Sequence, residues 1–320
     1  MTLTLAKLQQ LKRQAGGMAG AVGGPAPSEV TPVTAISPFD SLPTAPAPTT
    51  PPLLGLDNLR QLLRLRTPAP LRVRVPQDRS LPGEEIAPGL HLTQATLPED
   101  ALPAHLDGSF DRKEPIATAH LLFFDTETTG LAGGTGTRAF MIGASDWHQG
   151  ALRIRQLTIA NTSAERAMLE VFRTWLTPDT VLCSYNGKCF DAPLLATRYR
   201  LARMRNPLAD LPHVDLLYPT RRRYRGVYEN CRLATIERQV LRVVREDDLP
   251  GSQAPAAWLD YLRGGGSGML RRVLAHNHQD VVSLAALLRH LSAATVADAL
   301  AAAAAAEAEA GMQDAGALRL

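Results

Sequence analysis

Aromatic side chains make up only 5% of the 320 residues, and their placement is uneven. Phe39 alone precedes residue 110, whereas 15 of the 24 prolines fall within the first 100 residues. A stretch that poor in aromatics and rich in proline lacks the material for a core, so the front third reads as a disordered Pro/Ala-rich region. Lysine is nearly absent: there are four against 30 arginines, and Lys188 is the last of them. Cysteine is confined to Cys183, Cys189 and Cys231. An odd count without a CxxC pair excludes a disulfide framework and a zinc site, and fits reduced thiols in a cytoplasmic protein. No uninterrupted apolar run approaches the roughly 18 residues of a membrane span. The N-terminus has no signal-peptide apolar segment. Its basic start (Lys7, Lys12 and Arg13, with no acid before Glu29) leaves a transit peptide as the alternative to a cytoplasmic location.

What is present is concentrated after residue 110. Hydrophobic content is 45%, enough for one sizeable core, and the net charge is a mild +3. Twelve arginines against four acids lie between Arg198 and Arg245, which suggests a positive surface suited to phosphodiester backbones; an arginine-rich composition accounts for it equally well. Short helices are expected at 3–14 and 56–66 around a disordered 15–53. Residues 67–118 are expected to wrap the domain without forming one. Strands are expected at about 119–126, 138–146, 152–159, 180–185 and 213–217. Helices are expected at 163–176, 192–204, 231–242, 255–263 and 269–291, the first opened by a Thr162/Glu165 capping box. A glycine-rich break at 264–268 separates the last two. Short links make the first three strands antiparallel neighbours, and the alternation that follows argues an α/β fold with a mixed five-stranded sheet flanked by helices. The glycine-rich 133–137 is no P-loop, because no Gly-Lys-Ser/Thr follows. The divisions are 1–74 (disordered region with short helices), 75–292 (the domain, its core from about 119) and 293–320 (an Ala-rich tail).

The apolar run Leu121-Leu-Phe-Phe ends in Asp125 and Glu127. Residues two apart on a strand share a face, so these acids repel each other and favour a hard divalent cation between them. Simple solvation at a strand end is the plainer alternative. Asp191 opens a helix after Thr180–Tyr185, where a helix cap is equally plausible. Asp280 lies inside an apolar-periodic helix, where aspartate is a poor former, with His276 four residues earlier on the same face. An exposed Asp–His pair is the alternative there. A zinc site from His276, His278 and Asp280 is disfavoured, because residues two apart on a helix do not converge.

Three segments together carry a resemblance: Phe-Asp125-Thr-Glu127-Thr-Thr-Gly, Tyr185-Asn-Gly-Lys-Cys-Phe-Asp191 and His276-Asn-His-Gln-Asp280. They resemble the three motifs of the DEDD exonucleases, which have a ribonuclease H-like fold. The chain is similar in particular to the YprB-like branch. That closer match rests on residues 125–137, 184–188, His213-Val-Asp215-Leu-Leu, Cys231-Arg-Leu-Ala-Thr-Ile-Glu237 and Asp248-Leu-Pro-Gly251, and spans roughly 75–292.

The resemblance implies a 3′–5′ exonuclease on single-stranded DNA or RNA ends, with two Mg²⁺ or Mn²⁺ ions about 3.5–4 Å apart. It implies that Asp125, Glu127, Asp191 and Asp280 hold the ions and that His276 orients or deprotonates the attacking water. The family carries either a tyrosine with three intervening residues or a histidine with four before its last aspartate; His276 stands at the tyrosine spacing. Thr128, Asn186 and Lys188 are expected at the nucleic acid. Arg221, Arg222, Arg223, Tyr224 and Arg225 are expected to grip phosphates and stack bases, with a solvated charged helix end as the equal alternative. Asp215 supports the site or the fold. Protein partners, if any, would use the disordered front. The competing readings are a nucleic-acid-binding module without catalysis and a small-substrate phosphodiesterase.

Overall fold

The computed structural model describes residues 77–99, 102–130, 135–246 and 249–317, with side chains as far as 306. The expected helices at 3–14 and 56–66 and the disordered 15–53 lie outside the described residues. In chain order the strands are β1 (Glu84–Ala87), β2 (Leu90–Pro98), β3 (His105–Leu106), β4 (Ile116–Ala117), β5 (Leu121–Thr128), β6 (Ala139–His148), β7 (Ala151–Ile159), β8 (Val181–Ser184) and β9 (His213–Asp215). The helices are α1 (Glu165–Thr174), α2 (Asp191–Leu201), α3 (Leu217–Tyr224), α4 (Leu233–Ile236), α5 (Ala254–Leu262) and α6 (Gly268–Ala317).

One mixed sheet runs β1-β2-β7-β6-β5-β8-β9. β5, β6 and β7 are antiparallel neighbours, as their short links require, and β8 and β9 join parallel beside β5. The sheet therefore has seven strands, not five. The two additional ones come from the segment expected only to wrap the domain. β2 pairs with β7 along its whole length, from Leu90↔Ile159 to Pro98↔Ala151. A Pro88-Gly89 turn with Gly89 at φ +74° folds β1 back on β2, proline supplying one corner residue and glycine the positive φ at the next. β2 has a single buried residue, Leu90, and is half-buried or exposed elsewhere, so its apolar alternation is faint in the sequence.

Alternation along β5 decides what lies on each side. Leu122 and Phe124 join the core beneath α1, α2 and α5, whereas Leu121 and Phe123 join the core beneath the middle of α6. Asp125 and Glu127 therefore continue the α6 side, and Thr126 faces α2. Trp258 of α5 stacks on Phe140 at 5.3 Å and donates its indole N–H to the Ile159 carbonyl at 2.9 Å, tying α5 to the sheet.

Three local expectations are corrected. The Thr162/Glu165 capping box is not formed. Asn161, one residue earlier, accepts from the Ser163 and Ala164 amides, and Glu165 instead clamps Arg198 of α2 through both carboxylate oxygens, at 2.5 and 2.7 Å. The expected helix 231–242 is α4 followed by a π-helical turn, Glu237–Leu241. Finally, α6 continues past 292 through the Ala-rich segment. Its Gly268–Ala306 portion is long and apolar enough by composition to cross a membrane, contrary to the reading from uninterrupted runs, because Arg289 is the only charge between Asp280 and Asp298. Val281, Leu284, Leu287, Leu288 and Leu291 are nonetheless buried in the domain's own core.

Candidate active site

β5 and α6 supply the centre of the site. Ligand atoms of Glu127, His276 and Asp280 all lie within 4.8 Å of one another. Glu127 is 7% exposed, and His276 and Asp280 are largely covered. The i, i+4 spacing on α6 aligns His276 with Asp280, and Nε2 stands 3.5 Å from Asp280 Oδ2. His278 is outside this group.

Asp125, two residues before Glu127, is held by a part of the site that the sequence did not disclose. Asn277 donates its side-chain amide to Asp125 Oδ2 at 3.0 Å. Gln156 of β7 donates to Asn277 Oδ1 at 3.0 Å and to the Leu274 carbonyl at 2.8 Å. These bonds orient the amide so that its N–H group faces the carboxylate. Asp125, Gly143 and Gln156 are in register across β5, β6 and β7, and Gly143 leaves the space that Asn277 fills. The available signal was an asparagine inside an apolar-periodic helix, a residue that favours caps and turns over helix interiors.

Asp191 approaches from the other side of β5. It is the first residue of α2 and fully buried in the turn after β8, and its carboxylate accepts the Thr126 hydroxyl. No side chain caps α2, so the helix-cap reading of Asp191 does not hold. The loop that delivers it is pinned by Asp215, which is 1% exposed and accepts from the amides of Asn186 (2.7 Å), Lys188 (3.1 Å) and Leu217 (3.1 Å). Asn186 takes φ +68° in this loop. Gly187 packs on Ser184, whose hydroxyl meets His213 Nε2 at 2.7 Å; a Cβ at 187 would lie 2.3 Å from that hydroxyl oxygen. Asp215 is thus a structural support for the loop that carries Asp191.

The electrostatics follow from this crowding. Burial pushes the Asp125 carboxyl well above its ordinary range, and the charges of Asp191, Asp280 and Glu127 add to the effect. Burial raises Asp191 from 3.8 to about 6 against the pull of the Thr126 hydroxyl. Burial also raises Asp280, opposed by His276 and Arg245. Three carboxyls whose charged forms are disfavoured, grouped with the Glu127 carboxylate and one imidazole in a covered site, fit a hard divalent cation.

Arg245 already supplies one positive charge here. It donates to Glu237 at 2.7 and 2.5 Å, to Asp280, and to His276 Nδ1 at 3.0 Å. With His276 it lines a cleft of about 470 Å³ that also involves Leu249, Arg272 and Gln279.

The expected nucleic-acid contacts divide. Asn186 and Lys188 are exposed on the Asp191 loop. Thr128 is buried, and its hydroxyl donates to Gly130. Arg221 and Arg225 are exposed on and just after α3. Arg222 instead bonds the Phe110 carbonyl and Asp111, Arg223 pairs with Asp298, and the Tyr224 hydroxyl meets His290 Nε2 at 2.6 Å. With Arg198 on Glu165 and Arg245 on Glu237, much of the basic stretch serves internal pairs, which reduces the positive surface expected from composition.

A family model described as the RNase_H superfamily matches residues 122–292. The uncharacterized protein YprB of Bacillus subtilis (strain 168) is 36% identical over 174 residues, covering 54% of this chain and 42% of the relative. The chain thus spans less than half the length of that curated relative. Among solved structures, the family B DNA polymerase of Pyrobaculum calidifontis matches at 17% identity and a TM-score of 0.45, covering 56% of this chain and 25% of the polymerase. E. coli exonuclease I in complex with a dT13 oligonucleotide matches at 16% identity and a TM-score of 0.33, covering 48% and 43%.

Proposed function

The chain belongs to the RNase H superfamily, and from that premise we propose that it is a metal-dependent nuclease, a 3′–5′ exonuclease acting on single-stranded DNA or RNA ends. The observation that carries this reading is the convergence of Glu127, His276 and Asp280 within 4.8 Å beside the half-buried Asp125. Asp125, Glu127, Asp191 and Asp280 would hold two Mg²⁺ or Mn²⁺ ions. When bound, such ions polarise the scissile phosphate and ease deprotonation of water.

The chain's own groups do the rest. Asn277 holds Asp125 in register, and Thr126 holds Asp191. His276 positions the attacking water. Asn186 and Lys188, exposed beside Asp191, meet the phosphate backbone, and the exposed Arg221 and Arg225 extend that contact. The reading is tested with end-labelled DNA and RNA oligomers incubated with Mg²⁺, Mn²⁺ or EDTA. Shortening from the 3′ end with either ion and none in EDTA is expected. Binding without cleavage under every condition would replace the nuclease with a binding module, and cleavage of dinucleotides alone would make it a small-substrate phosphodiesterase.

A further inference from the structure

We propose that Tyr218 is a stacking platform for one base of a single strand, set beside the loop that carries Asp191, and that the substrate must be unpaired at that nucleotide. Which nucleotide this is rests on the nuclease reading; the stacking itself does not.

Tyr218 is the only exposed Phe, Tyr or Trp among the described residues. The other tyrosines are engaged inside the protein. Tyr199 and Tyr261 are buried, and Tyr185 donates its hydroxyl to the Cys231 carbonyl at 2.5 Å. Tyr224 and Tyr228 stack on each other at 5.5 Å, and Tyr224 also stacks on His290. A lone exposed aromatic needs no explanation by itself. Its position does.

Leu217, Pro219 and Thr220 are buried, so the first turn of α3 presents Tyr218 alone. Asp215 joins this turn to the Asp191 loop, because one carboxylate accepts the amides of Leu217, Asn186 and Lys188. The Tyr218 hydroxyl meets Cys189 Sγ at 3.1 Å, two residues before Asp191. The ring is thereby tied at both ends, by its backbone on α3 and by its hydroxyl on the loop, and spans the junction between them. Little rotamer freedom is left to lose when a base settles on it.

Charge is arranged about the ring. Lys188, next to Cys189, is exposed on its loop side. Arg221 follows Tyr218 by one helical turn on the same face, and Arg225 comes about one turn later. Arg222 and Arg223 turn instead to Phe110, Asp111 and Asp298. A flat ring between exposed cations is the combination that binds single strands, the cations taking phosphates and the ring taking the face of a base. A base within a duplex has both faces stacked already, so the platform selects an unpaired strand.

The test uses single-stranded DNA and RNA oligomers in EDTA, where binding is read without cleavage. 2-Aminopurine is placed at each position in turn from the 3′ end. At one position near that end its fluorescence should be quenched by wild type and not by Tyr218→Ala. The variant should bind about 10–100-fold more weakly, the range for one base–aromatic stack. An abasic nucleotide at the same position should cost wild type a similar factor and the variant almost nothing. Tyr218→Phe and Tyr218→Trp keep a flat face and lose the Cys189 contact; they should restore most of the affinity and the quenching. With Mg²⁺, Tyr218→Ala should raise KM and leave kcat nearly unchanged, because the stack is made equally in the ground and transition states. A merely structural role predicts a lower melting temperature and no dependence on the abasic position. Quenching that survives in Tyr218→Ala, or Tyr218→Phe as weak as Tyr218→Ala, overturns the proposal. So does a wild type that binds no oligomer, which would leave the ring to a protein partner. If Tyr218→Ala does not fold, Tyr218→Leu keeps the bulk without the aromatic face and is read in the same way. A wild type that binds and quenches but cuts with neither Mg²⁺ nor Mn²⁺ would sink the nuclease reading and leave the stacking in place.

Discussion

Asp125→Asn should abolish metal-dependent turnover while making the metal-free protein more stable. The two effects have one cause. Asp125 is half-buried and crowded by Asp191, Asp280 and Glu127; desolvation and all three of these charges disfavour its own. Removing the charge relieves that repulsion and keeps an oxygen to accept the Asn277 amide. A gain of even about 1 kcal/mol would raise the melting temperature by roughly 2–4 °C in a domain of this size. The same change removes a ligand from the cation site. Lewis-acid stabilisation of several kcal/mol is at stake, which is on the order of 10³-fold in rate. Wild type should melt higher when Mn²⁺ is added, by about 2.7 kcal/mol at a hundredfold excess over Kd, and the variant should not.

Acidity separates this account from a generic surface effect. A carboxyl raised by folding binds more protons in the folded state than in the unfolded state between its two pKa values. Its contribution therefore lowers stability as pH rises through that window, which for Asp125 starts at the ordinary value of 3.8 and extends well above it. His213 works the opposite way. Burial lowers it to about 4, so it costs stability as pH falls below the ordinary 6.5. The total profile mixes these terms, but the difference between wild type and Asp125→Asn isolates one of them. In EDTA the variant's advantage should be widest near pH 8 and close toward pH 4. Urea melts showing a constant gap, or one that widens in acid, would contradict the assignment of repulsion to Asp125.

The parts of the site that were legible from sequence are those set by a local period. Asp125 and Glu127 share a face because a strand repeats every two residues, and His276 and Asp280 share one because a helix brings i and i+4 together. Asp191 became legible only through its motif, since its place depends on a loop pinned from β9 by Asp215. What stayed hidden is what the sheet brings together sideways. Gly143, Gln156 and Asn277 meet because three strands align and a helix crosses them, and Asn277 lies 121 residues from Gln156 and 152 from Asp125, which leaves no periodic trace. Arg245 was hidden for a different reason. In an arginine-rich stretch, one buried guanidinium is indistinguishable from its exposed neighbours until Glu237 and Asp280 are seen to surround it. The strands β1 and β2, at one end of the sheet, were missed because neither is more than partly buried along most of its length and both show little alternation.

Gly143→Ala should be far more damaging than an added methyl group suggests, and its cost should vanish when Asn277 is also shortened. A Cβ at 143 would lie 2.0 Å from Asn277 Oδ1 and 2.8 Å from its Cγ. Asn277 has no exposed surface into which to retreat. The side chain must leave its place, and its bonds to Asp125 and Gln156 go with it. Overpacking costs about 1–3 kcal/mol, and each buried polar group left without a partner costs about 1–3 more. Against this, alanine recovers only about 0.4–1 kcal/mol by restricting the unfolded chain. A net loss of roughly 2–5 kcal/mol in urea unfolding is expected, with turnover down by about 10–100-fold because Asp125 loses its support. Asn277→Ala alone should also slow turnover, but it opens the space. In the Asn277→Ala background, Gly143→Ala should therefore cost less than about 1 kcal/mol, giving a coupling energy as large as contacting residues show. Additive costs would mean that the space above Gly143 is not what the site requires. A large coupling in stability together with equal turnover in both single variants would place the damage where the contact lies, at the one bond by which Asn277 steadies Asp125.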